Sequence, residues 1–445
     1  MNNVKKIIYN LFNVLISSRL GVGLQFWVLG YMLRNNRNPV KPRLFWGPAA
    51  LKNNTYWSRA MSAAGFESTS CMTGYFGSIN KKEDFDLYFN EIEYFKPFNS
   101  AYLGLFFRQA SICYFLLKKF DIFHFPVSGL NGVLDKGWNE FLVENIKLKG
   151  KKIIVMPYGA DAYIYKDISD SNLQIALLKS YPKAVLYENE IRTNLDFWNT
   201  NADCMFSGLM LDSFSRIDIL RISFLSISIQ QKKNWVNSDC AEVFKIVHTP
   251  NHRGFKGTEF LIEAVTQLRR KGLNIELTLL EKMQNDEVLS VLRNSDLFVE
   301  QLIATGYALS AIEGMSIGLP VLSNLEHEYY TRVFRRYSFL NECPILSTTP
   351  ETIERNIEIL YWNREFCRQL GDSGVKYVSK YHSEKSIQFM FSKIYSKIWD
   401  GEDIDLLNLY NPLCSVSYNN QSQRIEHPLV ENKIPNELMK TLKTG

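Results

Sequence analysis

The sequence predicts an α/β chain of two doubly wound domains facing across a cleft, with an amphipathic helical segment in front of them. Three observations carry that expectation. Short apolar runs alternate with helical stretches from the Asn38–Pro39 break onward, the pattern of parallel strands covered on both faces. The alternation is interrupted by a polar stretch around Gln230–Asp239 and then resumes. Finally, 445 residues, 46% hydrophobic and 22% charged, suffice for two cores, one per domain.

The segment before the break reads differently. Lys6, Asn10, Asn13 and Ser17 fall on one face of a helix, with Ile7, Ile8, Leu11, Phe12 and Leu15 on the other. The run Leu20–Leu33 is shorter than the roughly 20 residues a spanning helix requires, and it contains Gln25. The favoured reading is a helix lying in a membrane interface, with Trp27 and Tyr31 at headgroup level and Arg34 and Arg37 on lipid phosphates. A signal peptide, a spanning anchor around Arg19, and plain packing on the folded body stand as alternatives. Every charged residue before Glu67 is Lys or Arg, and these bases are interleaved with apolar runs. That distribution favours an anionic membrane surface over nucleic acid as the partner of residues 1–37.

The domain bounds follow: 1–36 for the membrane-associating segment, 37–225 for the first domain, 226–384 for the second, 385–400 for a closing helix returning to the first domain, and 401–445 for a polar tail, extended or partly disordered. In the first domain, strands are expected at Leu44–Trp46, from Phe66, at Asp121–Phe125, Lys152–Met156, Ala184–Tyr187 and Ala202–Phe206, with a helix over Thr55–Ala64. In the second, strands are expected at Phe244–His248, Ile275–Leu280, Leu297–Val299 and Val321–Leu322. Helices are expected from Thr258, as cap, with an apolar stripe Phe260, Leu261, Ala264, Val265 and Leu268, and over Asp286–Asn294. Ile387, Met390, Phe391, Ile394, Tyr395, Ile398 and Trp399 keep helical spacing behind a Ser383 cap.

Two stretches carry chemistry. Glu300–Asn324 runs from a strand end through a loop at Thr305–Gly306 into a helix holding Glu313, stopped by Gly318–Leu319–Pro320. Such a turn offers backbone N–H groups and a carboxylate at the mouth of a sheet, an arrangement for a phosphorylated ligand. The loop His248–Thr258 places Arg253 and Lys256 beside Gly254 and Gly257 ahead of a helix, which suits a diphosphate. No Walker loop is present there, and the absence of GxGxxG argues against a dinucleotide-dependent dehydrogenase. The seven cysteines lack metal-ligand spacing and the six histidines form no HExxH, so no catalytic metal is expected and a reducing setting is.

Phe244–Trp399 resembles the donor-nucleotide domain of retaining GT-B glycosyltransferases of the family 4 type. The resemblance rests on Arg253–Gly–Phe–Lys256–Gly257, Ser295–Val299 and Tyr307–Ala–Leu–Ser–Ala–Ile–Glu313 through Gly318–Leu–Pro320–Val321. A weaker likeness in the first half rests on Gly65, Asp121–His124 and Gly159–Asp161. It implies two Rossmann-like domains, a metal-independent transfer from a nucleoside-diphosphate sugar, no cofactor beyond that donor, and a glycan or lipid-linked acceptor such as a surface-polysaccharide precursor. Arg253 and Lys256 would hold the diphosphate and Glu313 the ribose, with Thr305, Gly306, Tyr307, Ala308 and Leu309 lining the donor loop. His124 would act near the sugar, with Gly47 and Asp161 on the acceptor side. The chain would be cytoplasmic, on the inner face of the membrane. Two departures stand out. Thr305 occupies the place of the first glutamate of the usual pair, which brings Glu300 or Gln301 forward for sugar contacts and leaves open a degenerate scaffold without turnover; a sugar-nucleotide epimerase ranks third. Pro126 stands where many members have a second histidine.

Overall fold

The computed structural model describes residues 14, 18–33, 39–77, 80–96, 104–208, 211–220, 243–415 and 424–440. The expected helix over Lys6–Ser17 (Val14 apart), Arg34, Arg37 and the Gln230–Asp239 stretch lie outside them.

The apolar runs of the first half form strands because each is flanked by a helix that covers one face. They are β1 (Leu44–Trp46), β2 (Ser68–Met72), β3 (Leu87–Tyr88), β4 (Ile122–Phe125), β5 (Lys152–Val155) and β6 (Cys204–Met205). They pair in parallel in the order β3-β2-β1-β4-β5-β6. One face is covered by α2 (Lys52–Ala63), the other by α3 (Arg108–Lys119) and α4 (Lys136–Leu148). Preceding them, α1 (Arg19–Met32) lays Val22, Phe26 and Leu29 on that second face, Phe26 meeting the rings of Trp138 and Phe141 at 4.6 and 4.3 Å. Its other side, Leu20, Leu24, Trp27 and Tyr31, is exposed.

Further along are α5 (Ser171–Ser180) and α6 (Glu188–Asn201). Between them, Ala184–Tyr187 is a 3-10 turn rather than the expected strand, closed by bonds such as Leu186 N–H to the Lys183 carbonyl (3.1 Å). Leu186 is exposed, so this run never enters the sheet.

The second half repeats the plan with β7 (Phe244–His248), the single turn α7 (Arg253–Lys256), α8 (Thr258–Arg270), β8 (Ile275–Leu279), α9 (Asn285–Arg293), β9 (Leu297–Thr305), α10 (Leu309–Ile317), β10 (Val321–Asn324), α11 (Glu328–Tyr337) and β11 (Leu346–Ser347). The sheet order is β11-β10-β9-β7-β8, all parallel. After β9 pairs regularly with β10 through Val299, its register shifts, so that Ser323 faces Gln301 and Asn324 faces Thr305. Phe260 leaves the expected apolar stripe of α8 and is exposed, while Leu261, Ala264, Val265 and Leu268 are buried.

The closing elements α12 (Ile353–Trp362), α13 (Arg364–Tyr381) and α14 (Glu384–Ile398) follow. Ser383 caps α14 through its hydroxyl, which accepts from Ser386 N–H. The buried stripe of α14 crosses to the first sheet: Phe391 sits edge-on to Trp46 at 4.9 Å, and the Gln388 amide donates to the Ala60 carbonyl at 2.9 Å. The tail departs from the extended expectation. Leu406, Leu409 and Tyr410 join the main core, and Asn432 donates to the carbonyls of Cys343 (2.7 Å) and Ile345 (2.9 Å) beside β11. Sparse, aperiodic apolar residues hide such packing from a pattern reading.

Candidate functional site

The carboxyl ends of β7 to β10 assemble the second-half residues singled out by sequence. At the end of β7 the buried His248 ring is held at both nitrogens, Nδ1–H donating to the Val299 carbonyl (2.7 Å) and Nε2 accepting from Thr258 Oγ1 (2.9 Å). Burial lowers its pKa to about 4, so the ring is neutral near pH 7. Thr258 therefore does not cap α8 as expected, because its hydroxyl is committed to His248. The helix starts instead from Gly257, whose backbone is left-handed (φ 74°) and whose added Cβ would lie 2.9 Å from Leu302 Cβ.

This junction fixes the basic turn α7. Arg253 grips Glu281 with Nε and Nη2, both at 2.9 Å, and reaches Glu259 at 3.2 Å. These groups are exposed, so the contacts are screened and exchange readily with another anion. Lys256 is different. Only 7% exposed, it donates to Glu300 Oε1 (2.8 Å) and Gln301 Oε1 (3.1 Å). Glu300 also accepts from Ser323 (3.1 Å) and Ser310 (3.4 Å). Gln301 turns its amide to the carbonyls of Ala304 and Gly306, pinning the irregular end of β9. Glu300 and Gln301 are thus partners of Lys256 beneath the loop.

Thr305 is buried, and its hydroxyl has no hydrogen-bond partner among the described residues. Tyr307 points into the core, its hydroxyl 2.6 Å from that of Tyr377. What the loop offers a ligand is therefore backbone: Ala308 is the N-cap of α10 with no side-chain hydrogen bond, and Leu309 opens the helix. Glu313, one turn on, is 4% exposed and accepts from Asn285 Nδ2 at 3.1 Å. Burial raises its pKa to about 7, opposed by that bond and by the charge of Lys52 across the cleft. On the same α2 helix, burial and then the Glu313 charge push the Tyr56 phenol up to about 12. Asn285, Lys52 and Tyr56 carried no sequence signal, since they meet Glu313 only through the tertiary fold.

The first-half candidates lie apart from this group. His124 is fully buried and stacked on Trp46 at 3.5 Å; Nδ1–H donates to the Phe45 carbonyl (2.8 Å) and Nε2 accepts from the Tyr395 hydroxyl (2.9 Å). Burial takes its pKa down to about 3. With both nitrogens engaged, His124 ties α14 to the first sheet. Gly47 stands where an added Cβ would meet the Cys71 carbonyl oxygen at 2.1 Å, so the turn after β1 excludes any side chain. Asp161 accepts from the N–H groups of Val127, Tyr158 and Gly159, joining the loops after β4 and β5.

The two halves also touch beside the basic turn. Tyr165, Ile168, Leu173 and Leu177 form an apolar cluster with Ala304 and Tyr330, and the Tyr330 hydroxyl donates to the Asp212 carboxylate. On the other flank Gln284 donates to the Gly77 carbonyl at 2.9 Å. Among the described residues, no three His, Cys, Asp or Glu side chains converge to hold a metal ion.

No family profile matches the sequence, and no curated protein matches it either. Solved structures do resemble the fold. Anabaena Alr3699/HepE in complex with UDP aligns at TM-score 0.51 and 12% identity, covering 80% of this chain and 99% of that one. Its complex with UDP-glucose aligns at TM-score 0.50 and 11% identity with the same coverage. A glycosyltransferase from Rickettsia africae aligns at TM-score 0.47 and 13% identity over 82% of this chain and 100% of its own. The two parallel-sheet α/β domains facing one another are the GT-B fold.

Proposed function

We propose that this chain is a glycosyltransferase, moving a sugar from a nucleoside-diphosphate sugar to an acceptor hydroxyl with retention and without a metal. One observation carries the reading: the Arg253–Lys256 turn and the uncapped start of α10 converge on the same strand ends, with the buried Glu313 carboxyl one turn further along. A diphosphate there would replace Glu281 and Glu259 around Arg253 and share Lys256 with Glu300, while Ala308 and Leu309 supply N–H donors. Glu313 in its ionised form accepts two ribose hydroxyls. As the sugar–phosphate bond breaks, negative charge grows on the diphosphate where both cations stand, so they favour the transition state over the ground state. Since His124 is locked, the departing phosphate oxygen is the base this reading assigns to the acceptor proton.

The HepE complexes hold UDP and UDP-glucose, which makes uridine sugars the first donors to try. Incubating the chain with a panel of nucleotide sugars and measuring nucleoside-diphosphate release tests the activity. Turnover is expected for one donor, falling at least about a hundredfold in Lys256→Ala, as for other lost transition-state charge contacts. A second reading, a scaffold that binds donor without turnover, is favoured by Thr305 and by the carboxylates already occupying both cations. A donor that raises the melting temperature yet is never consumed with any acceptor would establish the scaffold and end the enzyme reading.

For the acceptor we read a glycan or lipid-linked molecule at a membrane surface, supported by α1. Its Val22–Phe26–Leu29 side is docked on the fold and its Leu20–Leu24–Trp27–Tyr31 side is bare. Among the described residues no helix is long and apolar enough to cross a bilayer. An interfacial helix on the inner membrane face suits these facts and the run of bases. Replacing Leu24 and Trp27 by Ser should lower co-sedimentation with phosphatidylglycerol vesicles at least about tenfold. Unchanged recovery would remove the membrane from the reading.

A further inference from the structure

The first domain carries a cavity that the donor site does not use. About 380 Å³ in volume, it is lined by Thr73, Asn90, Arg108, Gln109 and Asp135 over an apolar floor that includes Phe89. That volume falls within the roughly 300–1,000 Å³ of small-molecule sites. Its position follows from topology. Thr73 follows β2, Asn90 follows β3, and Asp135 ends the loop after β4; β2 and β4 flank β1, where the winding of the six-stranded sheet reverses. Open doubly wound sheets bind ligands at the carboxyl ends of the strands at this reversal. The Thr73 N–H bonds the Pro48 carbonyl (3.2 Å), so the wall is braced by the turn at Gly47 that admits no side chain.

The lining discriminates by chemistry. Gln109 and Asp135 hold each other, the Gln109 amide donating to Asp135 Oδ2 (2.6 Å) and Asp135 N–H to Gln109 Oε1 (2.7 Å). This sets the Asp135 carboxylate in place. The side chains of Thr73, Asn90 and Arg108 have no hydrogen-bond or ion-pair partner among the described residues. Arg108 only donates, Asp135 only accepts, and Asn90 and Thr73 do both, while the two charges cancel. A phosphate, which only accepts at its ionised oxygens, would meet the Asp135 carboxylate. Sugar hydroxyls both donate and accept, and they carry no charge.

We infer that this cavity binds a neutral sugar, held by Arg108, Asn90 and Asp135 through its hydroxyls and seated on the Phe89 floor. As an acceptor subsite it rests on the glycosyl-transfer reading; as a sugar site it does not. The membrane-facing helix supports an amphiphilic carrier for that sugar. Phe26 packs on the first half of α4 and the Lys149 ammonium, just past its end, donates to the Leu33 carbonyl (2.6 Å), so α1 starts at the end of α4 that borders the cavity.

The test uses the full chain with octyl glucoside, below its micellar concentration, and octyl phosphate as probes, read by saturation-transfer NMR titration. Octyl glucoside should bind more tightly than octyl phosphate. Arg108→Ala and Asn90→Ala, both at exposed positions, should weaken it about ten- to a hundredfold. Asp135→Asn should shift preference toward octyl phosphate. The proposal is overturned if octyl phosphate wins on the unaltered chain, if octyl glucoside does not bind, or if both Ala substitutions leave its affinity unchanged. UDP-induced thermal stabilisation is recorded alongside: its absence with sugar binding intact supports the sugar site and counts only against the transfer reading.

Discussion

Glu300 and Glu313 belong to one strand–loop–helix and are buried almost equally, 1% and 4% exposed, yet their surroundings differ completely. Glu300 is met by the Lys256 ammonium and the Ser310 and Ser323 hydroxyls, so its charge is answered within the second domain. Glu313 has the Asn285 amide on one oxygen and, across the cleft, the charge of Lys52. Burial alone therefore does not identify a functional carboxylate. The informative quantity is how much of its charge the fold already satisfies, because the shortfall is what a ligand can supply.

The largest effect should come from breaking the satisfied side. Lys256→Ala leaves Glu300 buried beside two hydroxyls alone, which costs about 3–5 kcal/mol when one partner of a buried pair is lost. The double substitution Lys256→Met, Glu300→Gln removes both charges and should restore most of that stability while nucleotide binding stays lost. Urea unfolding and UDP-induced melting shifts separate the two quantities. If Lys256→Ala were as stable as the unaltered chain, or the double variant bound UDP normally, Glu300 could not be the carboxylate that holds Lys256 ready.

The sequence made one side of this contrast visible and hid the other. Arg253, Lys256 and Glu313 stood out because cations beside glycines and a carboxylate on a helix after a strand are local patterns. The partners that decide their roles come from elsewhere: Ser323 from the next strand, Asn285 from the preceding helix, Lys52 from the other domain. Strands such as Phe244–His248 were legible from composition, whereas Ala184–Tyr187 has the same composition and forms a 3-10 turn, because a short apolar run does not record whether a sheet edge is within reach. The surroundings of His124 were hidden for a related reason. A histidine at a strand end looks reactive, and only the return of Tyr395 on α14 shows that its second nitrogen is taken.

A smaller effect, with a defined sign, should come from the unsatisfied side. Burial raises the Glu313 pKa from its ordinary 4.5 to about 7, so between those values the folded chain holds a proton that the unfolded chain releases. Folded stability must then fall as pH rises from about 4.5 to about 7, by something on the order of 3 kcal/mol at most, and level off above. Glu313→Gln has no proton to lose and should lack this fall, which makes it the more stable chain at pH 8. Nucleotide affinity should run the other way. Ribose hydroxyls donate best to the ionised carboxylate, so UDP binding to the unaltered chain strengthens up to about pH 7, while Glu313→Gln binds more weakly throughout, by about tenfold at pH 8. Opposed slopes for stability and affinity, both abolished by one substitution, are the signature of a carboxylate kept short of partners for a ligand. Parallel unfolding curves for the two proteins across that range would place Glu313 with Glu300, as a carboxylate the fold has already satisfied.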